Sequence, residues 1–525
     1  MRTRWLFILC IVLGAIVAAF FNSVLVLSIL FLAVALWFLV RNLEFGLIIL
    51  VFFFPYLGLV IDFGQIEVFR EVPYLKNINA PFIDLYGLLF FVAWLISGIK
   101  NVKLKMKNDG DSGVCLNVLM SGRSTPKILH FTFYILHYFP HFKSYLFFWL
   151  SGLISLLKVS AINAQVSFKY FARPFTFFYL VFFAPVVSIL TREKHNPTRP
   201  PLNLRGGEEG LSILHRVLMV FYFTGLLSAV NGLWGLFFGA HTDFFRATPF
   251  AFFGINPLGP NHNLLAETLI ATAPAGLILM QNEKLKIKNG EPRKKNFTFY
   301  ILHFTLFQWG IALLTFARTA WIAVAVQALV YLFLNRHPER SEGSRPHGRD
   351  AHTREILRSL WSLRMTLVGV CLAIAAIFLV LTMASETVRG STLSRLDQAR
   401  IAEFYFLRSP IVGQGIGTFI PTLWGTRAFL LEYGEPLEAH GILFKLMFEQ
   451  GMLGLITFAL FIGSIVWSLY RAYRSDNTNP AFLAALLIAS GALTYQLFNT
   501  TYYTSKLWVP LAIAVAIAKG YEQKE

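Results

Sequence analysis

His440 and Arg318 have the residue types and settings that chemistry at a membrane surface would need. His440 ends a polar stretch and opens an apolar one, in Glu438-Ala-His-Gly-Ile-Leu-Phe-Lys-Leu-Met-Phe-Glu-Gln-Gly-Met-Leu-Gly454. An imidazole at a membrane–water boundary titrates near neutral pH and can serve as a general base. A helix cap or an interfacial hydrogen bond is the plainer reading of the same position. Lys445 and Glu449 follow on the first turns of the apolar run. Ionisable groups there point to function, but at a spacing of four they also read as a simple stabilising pair. Gly451 and Gly454 let another helix approach closely.

Arg318 lies in Leu314-Thr-Phe-Ala-Arg-Thr-Ala-Trp321, a tight turn between two apolar runs. Its guanidinium either snorkels to lipid headgroups or holds a phosphate, whose oxygens its planar fork matches. A third stretch runs from Ser394 to Phe419. Leu396, Ala399, Ile401, Ala402, Phe404 and Phe406 fit a short amphipathic helix over 395–407, stopped by Pro410. Such a helix is expected to lie along the membrane surface with its arginines, Arg395 among them, pointing upward. Gly413, Gly415 and Gly417 then read as a flexible turn. Their G-x-G spacing follows no strand, so a dinucleotide site is unsupported.

The elements that must position these groups follow from composition. The chain has 525 residues, 56% hydrophobic and 14% charged, with mean hydropathy +0.59. Soluble domains carry about 25% charged residues, so a soluble globular enzyme is excluded. Apolar runs fall near 4–21, 23–40, 44–61, 81–99, 144–158, 172–191, 215–238, 263–281, 298–316, 319–335, 365–383, 441–470, 480–498 and 507–519. Each approaches the ~20 residues that a ~30 Å bilayer core requires. Met1 to Phe20 reads as a retained first helix, because no small-x-small cleavage site precedes Phe21 and another span follows at once.

The net charge of +18 would suggest nucleic acid in a soluble protein. Here it marks topology. Segments 100–127, 192–216, 283–295 and 336–364 carry net charges of +4, +2, +4 and +3, thirteen of the eighteen. The positive-inside rule puts all four in the cytoplasm. The expected fold is an all-α polytopic integral membrane protein of about 12–14 transmembrane helices. It is N-in and C-in, with a large outer loop, 384–440, that contains short helices and precedes the third-last helix. That loop has net charge −1. The expected divisions are N-terminal helices over 1–254, with cytoplasmic insertions near 100–143 and 192–214, then a core over 255–470, with insertions at 282–297 and 336–364. A C-terminal helix pair over 471–525 completes the chain.

An internal repeat explains part of the basic excess. Lys103-Leu-Lys-Met-Lys-Asn108 matches Lys284-Leu-Lys-Ile-Lys-Asn289, and Phe131-Thr-Phe-Tyr-Ile-Leu-His137 is identical to Phe297–His303. Two copies in non-equivalent places are not a solenoid. With 337–364 and 196–209 they resemble translated intergenic repeats dropped into loops, where insertion costs little. The expectation is that these stretches are dispensable. Asp109-Gly-Asp111 imitates a metal-binding D-x-D but sits in an insertion, so solvated loop charges are the preferred reading. Cys10, Cys115 and Cys371 make neither a disulfide framework nor a four-ligand zinc site. Of twelve histidines, only His241, His262 and His440 face the outer side.

At these residues the sequence resembles the O-antigen ligase and O-antigen polymerase family of bacterial envelope glycosyltransferases. The first matching block is the turn Ala317-Arg318. The second is Arg395 followed by Pro410, Gly413, Gly415, Gly417 and Phe419. The third is His440-Gly441 with Glu449, Gly451 and Gly454. Asn261 to Pro274 also looks like the family's Asn-containing helix start. Ala317 stands where the family has Ser, Ala399 where it has Trp, and Gly441 where it has Asn. The resemblance covers roughly 255–460 and implies metal-independent inverting transfer, without cofactor, on the periplasmic side of the inner membrane. The donor it implies is a glycan on undecaprenyl diphosphate, and the acceptor a lipid, glycan or protein hydroxyl. His440 would be catalytic, deprotonating or orienting the acceptor, and Arg318 and Arg395 would bind the diphosphate. Arg389 and Arg400 compete with Arg395 for that role. Ligase and polymerase share these blocks. A metal-dependent transferase would instead use Asp62, Glu67 and Glu71, and a lipid-linked glycan flippase would bury charges in mid-helix along a cavity.

Overall fold

In an apolar surround, each backbone N–H must find its acceptor within its own segment, so long uncharged runs fold as helices. The computed structural model describes residues 24–62, 79–109, 140–160, 163–192, 213–239, 246–259, 261–280, 297–334, 386–434, 441–477, 479–499 and 504–522. Helices α1 (Val24–Arg41) and α2 (Leu43–Phe53) precede an antiparallel pair, β1 (Val60–Asp62) and β2 (Asn79–Pro81). Then come α3 (Phe82–Asp109), α4 (Phe142–Leu157), α5 (Ala164–Phe171) and α6 (Ala184–Arg192). Two π-helical turns, Ala172–Phe177 and Tyr179–Phe183, join α5 to α6. The chain continues through α7 (Ile213–Phe238), α8 (His262–Thr272), α9 (Phe297–Leu314) and α10 (Arg318–Leu334). Three further helices follow, α11 (Glu386–Arg408), α12 (Phe419–Gly425) and α13 (Arg427–Tyr433). The last three helices are α14 (Ile442–Ser475), α15 (Pro480–Phe498) and α16 (Ser505–Glu522).

The fold is mostly helical, and among the described residues four helices are long and apolar enough to cross a membrane: Ile213–Phe238, His262–Met280, Ile442–Ser475 and Pro480–Phe498. A fifth is added when Leu32–Arg41 and Leu43–Phe53, bent by 113°, count as one span. Five shorter apolar helices accompany them among the described residues. The runs at 4–21 and 365–383, the inserted stretches 196–209 and 338–360, and the first repeat copy at 131–137 lie outside the described residues.

Helix α16 forms the core. Leu507 to Ala518 are almost fully buried, packed on α6, α14 and α15, as a helix apolar on every face must be. A buried amide fixes the neighbours. Gln327 on α10 donates to Ile270 O of α8 at 3.0 Å and to Leu487 O of α15 at 2.9 Å. Its oxygen receives Trp309 Nε1 from α9 at 3.3 Å. Four helices are thus held in one register by a side chain whose polar atoms are all used.

Residue 140, inside the stretch expected as an insertion, is packed against the helices. Pro140 O accepts Tyr179 Oη at 2.7 Å, and His141 Nδ1 lies 3.1 Å from Ser464 Oγ. The second repeat copy, Phe297–His303, forms the first two turns of α9, where Ile301 O accepts Tyr222 Oη at 2.9 Å.

Candidate functional site

The charges that the described residues bury are Asp84, Glu267, Lys445, Glu449 and Lys506. Each lies within the first eight residues of its helix. The starts of α8, α14 and α16 and the end of α15 meet at one end of the bundle. Tyr495 Oη on α15 donates to Asn263 O of α8 at 2.6 Å, and Lys506 Nζ on α16 donates to Leu264 O at 2.7 Å. A Cβ on Gly441, beside α14, would stand 2.6 Å from Leu497 O of α15.

Basic residues stand at several helix starts: Arg318 is the first residue of α10, Lys506 the second of α16 and Lys445 the fourth of α14, while the His262 imidazole opens α8. The helix macrodipole disfavours a cation there, and the free N–H groups favour an anion. Glu267 supplies part of the balance. It accepts Gln496 Nε2 at 2.9 Å and attracts Lys506.

Arg318 is half-buried, and its Nη1 donates to Thr392 Oγ1 on α11 at 2.6 Å. One turn along α11, Arg395 faces Arg318 and the Tyr495 hydroxyl. Its Nε is buried and makes no hydrogen bond. Burial pulls its pKa down to about 10, the Arg318 charge adds to the fall, and Tyr495 opposes it. The group still carries its charge at neutral pH. The helix expected over 395–407 therefore exists, but it starts at Glu386, and Arg395 is partly buried, near the Arg318 charge. Arg400 keeps the expected surface position, paired with Asp397 at 3.1 Å. Arg389 side-chain placement lies outside the described residues.

The three-glycine loop is not a flexible turn but a fitted plug. Gly413, Gly415 and Gly417 hold φ of 70°, 113° and 72°. Helix α14, expected as one span, breaks at Gly451 (φ 63°, ψ −155°). The loop fills that break from both sides. Gln414 N and Gly415 N donate to Phe448 O and Glu449 O, at 2.8 and 3.0 Å. Met452 N and Leu453 N donate to Pro410 O and Ile411 O, at 2.8 and 3.0 Å. Backbone groups orphaned by the break are thereby satisfied. Helix α4 closes the other side, with Ser155 Oγ donating to Glu449 O at 2.6 Å and Lys158 Nζ to Gly413 O at 2.6 Å.

A Cβ at residue 413 would stand 2.4 Å from Gln450 N and Glu449 C. Gly413→Ala is expected to cost more than the ~1–2 kcal/mol of left-handed backbone strain alone. Thermal unfolding in detergent checks this. Gly425→Ala, where a Cβ meets nothing within 4 Å, is the control and leaves the transition unchanged.

Arg318 and Arg395 are thus brought together. His440 lies outside the described residues, while Gly441, bonded to it, sits against the end of α15 that also carries Tyr495. Sequence reasoning missed Glu267, Tyr495, Gln496 and Lys506. The available signal was a lone acid inside the run 263–281, since ionisable groups in spans mark function. Of the metal alternative, Asp62 ends β1, and Glu67 and Glu71 lie outside the described residues. Among the described residues, no group of three His, Cys, Asp or Glu is placed to hold a metal ion.

No curated protein matches the chain. Residues 303–459 match the family described as O-antigen ligase, which serves polysaccharide biosynthesis in the cell envelope. The matched stretch runs from α9 into α14 and contains Arg318, Arg395, the glycine plug and the break at Gly451. The chain is a membrane protein whose residues 303–459 are similar to the O-antigen ligase family.

Proposed function

We propose that the protein is a membrane glycosyltransferase of the bacterial inner membrane. It moves a glycan from undecaprenyl diphosphate to an acceptor hydroxyl on the periplasmic face. The observation that carries this reading is the convergence of Arg318 and Arg395 from separate helices, with Arg395 Nε buried and lacking a hydrogen bond. Two guanidiniums, one of them at a helix start, fit a polyanion with oxygens to share between two forks. The reading takes the full chain as about 12–14 spans, N-in and C-in, with 384–440 outside.

The chemistry follows from those roles. His440 accepts the proton of the acceptor hydroxyl, or orients that hydroxyl. The acceptor oxygen attacks the anomeric carbon from the face opposite the phosphate, so configuration inverts. The bond from anomeric carbon to phosphate oxygen breaks, and its electron pair leaves with the diphosphate. Arg318 and Arg395 stabilise the charge that develops there, which helps the transition state more than the ground state. The activated bond arrives with the lipid carrier, so the reaction needs no nucleotide and, in this reading, no metal or cofactor.

The test is reconstitution with purified undecaprenyl-diphosphate glycan and candidate acceptors. His440→Ala is expected to lower transfer by ~10²–10⁴-fold, the usual contribution of a general base, with membrane insertion intact. Full activity of that variant rejects the mechanism. Product analysis separates a ligase, with glycan on a lipid or protein acceptor, from a polymerase, with a lengthened lipid-linked chain.

A further inference from the structure

Two more side chains, Arg246 and His262, stand near Arg318 and Arg395, and both lie outside the matched stretch 303–459. Arg246 comes from the segment after α7. That segment folds back along its helix, with Asn231 bonding both Phe250 N and Phe250 O, at 3.0 and 3.1 Å. Ala247 N donates to Leu314 O at 2.8 Å. This bond ties Arg246 to the end of α9, four residues before Arg318. His262 opens α8, whose first turn is capped by Asn261 Oδ1 accepting Asn263 N at 2.8 Å. The Tyr495 bond to Asn263 O fixes that turn beside the hydroxyl that Arg395 faces. The charges facing His262 are those of Arg246 and Arg395.

Four separate segments therefore bring three guanidiniums and one imidazole to one place. We propose that Arg246 and His262 complete a site selective for a diphosphate over a monophosphate. This rests on the reading of Arg318 and Arg395 as anion-binding residues. The chemistry supplies the need for more than two donors. A sugar diphosphate lipid carries one charge on each phosphorus, and the departing lipid diphosphate carries one more. Arg318 and Arg395 match the first two charges. Arg246 supplies a fixed cation for the third, and the His262 ring supplies a hydrogen bond to a terminal oxygen.

The experiment measures binding of farnesyl diphosphate and farnesyl monophosphate to the full-length protein in detergent. Wild type is expected to prefer the diphosphate. Arg246→Gln and His262→Gln are each expected to weaken diphosphate binding about tenfold, ~1.4 kcal/mol, and to leave monophosphate binding unchanged. Arg246→Lys retains more of the preference than Arg246→Gln. A monodisperse elution profile and an unchanged monophosphate affinity show that each variant is folded. Equal losses for both probes, or no loss for either, overturn the assignment. If Arg318→Ala and Arg395→Ala abolish binding while Arg246→Gln and His262→Gln do not, only this inference fails. If wild type binds neither probe, the anion-site reading itself falls.

Discussion

Arg395→Ala lowers glycan transfer by at least ~10²-fold, the loss seen when one preorganised donor to a developing negative charge is removed. Arg395 is held half inside the bundle, beside Arg318, with one nitrogen buried and without a hydrogen bond. A cation kept in that state without a ligand is costly, and an anion that displaces the remaining water relieves the cost. The relief grows as the leaving group gains charge, so the loss is expected in kcat as well as in kcat/KM. Arg395→Lys recovers little, because an ammonium cannot present the planar fork. Arg400→Ala is the matched control on the same helix, since Arg400 is exposed and pairs with Asp397 at the surface. Steady-state transfer in liposomes reads all three variants. Retention of activity by Arg395→Ala to within about threefold, a change below ~1 kcal/mol, removes Arg395 from the site.

Hydropathy made the helices legible and hid what interrupts them. The run at 480–498 coincides with α15, because Asn479 caps its start, accepting Ala481 N at 3.0 Å, and Pro480 suits the first turn. The run at 441–470 conceals the break at Gly451, since apolar residues continue on both sides and average hydropathy is blind to φ. The glycine at 451 and the three at 413–417 are separate in sequence. Their mutual fit is a tertiary fact that no local pattern carries. The amphipathic period found α11 but not the burial of Arg395, which depends on where α10 and α15 stand. Arg318 was legible because an arginine in a turn between two apolar runs is rare on its own terms. Glu267 and Lys506 were passed over because each looks like a lone charge until the helices meet.

The second large effect concerns Lys445 and Glu449, and it separates positioning from chemistry. Both side chains are 1% exposed, with Nζ 4.0 Å from Oε1. Lys445 Nζ also stands 4.5 Å from the centroid of the Tyr170 ring, and Glu449 Oε1 accepts Phe419 N at 3.4 Å. The pair therefore joins the first segment of α14 to α5 and to the end of the glycine plug. Removing one charge leaves the other buried beside a neutral neighbour, which costs about 3–5 kcal/mol. Lys445→Met and Glu449→Gln are each expected to lower the thermal unfolding transition in detergent sharply and to reduce transfer with it. Replacing both by apolar residues of similar volume is often neutral, so Lys445→Met with Glu449→Leu recovers most of the stability. If the pair only holds the plug against α14, transfer recovers as well. The expectation is recovery of both, because the pair reaches Tyr170 and the end of the plug. A double variant as unstable as the singles refutes the coupling, and a stable but inactive one moves Glu449 or Lys445 into the chemistry.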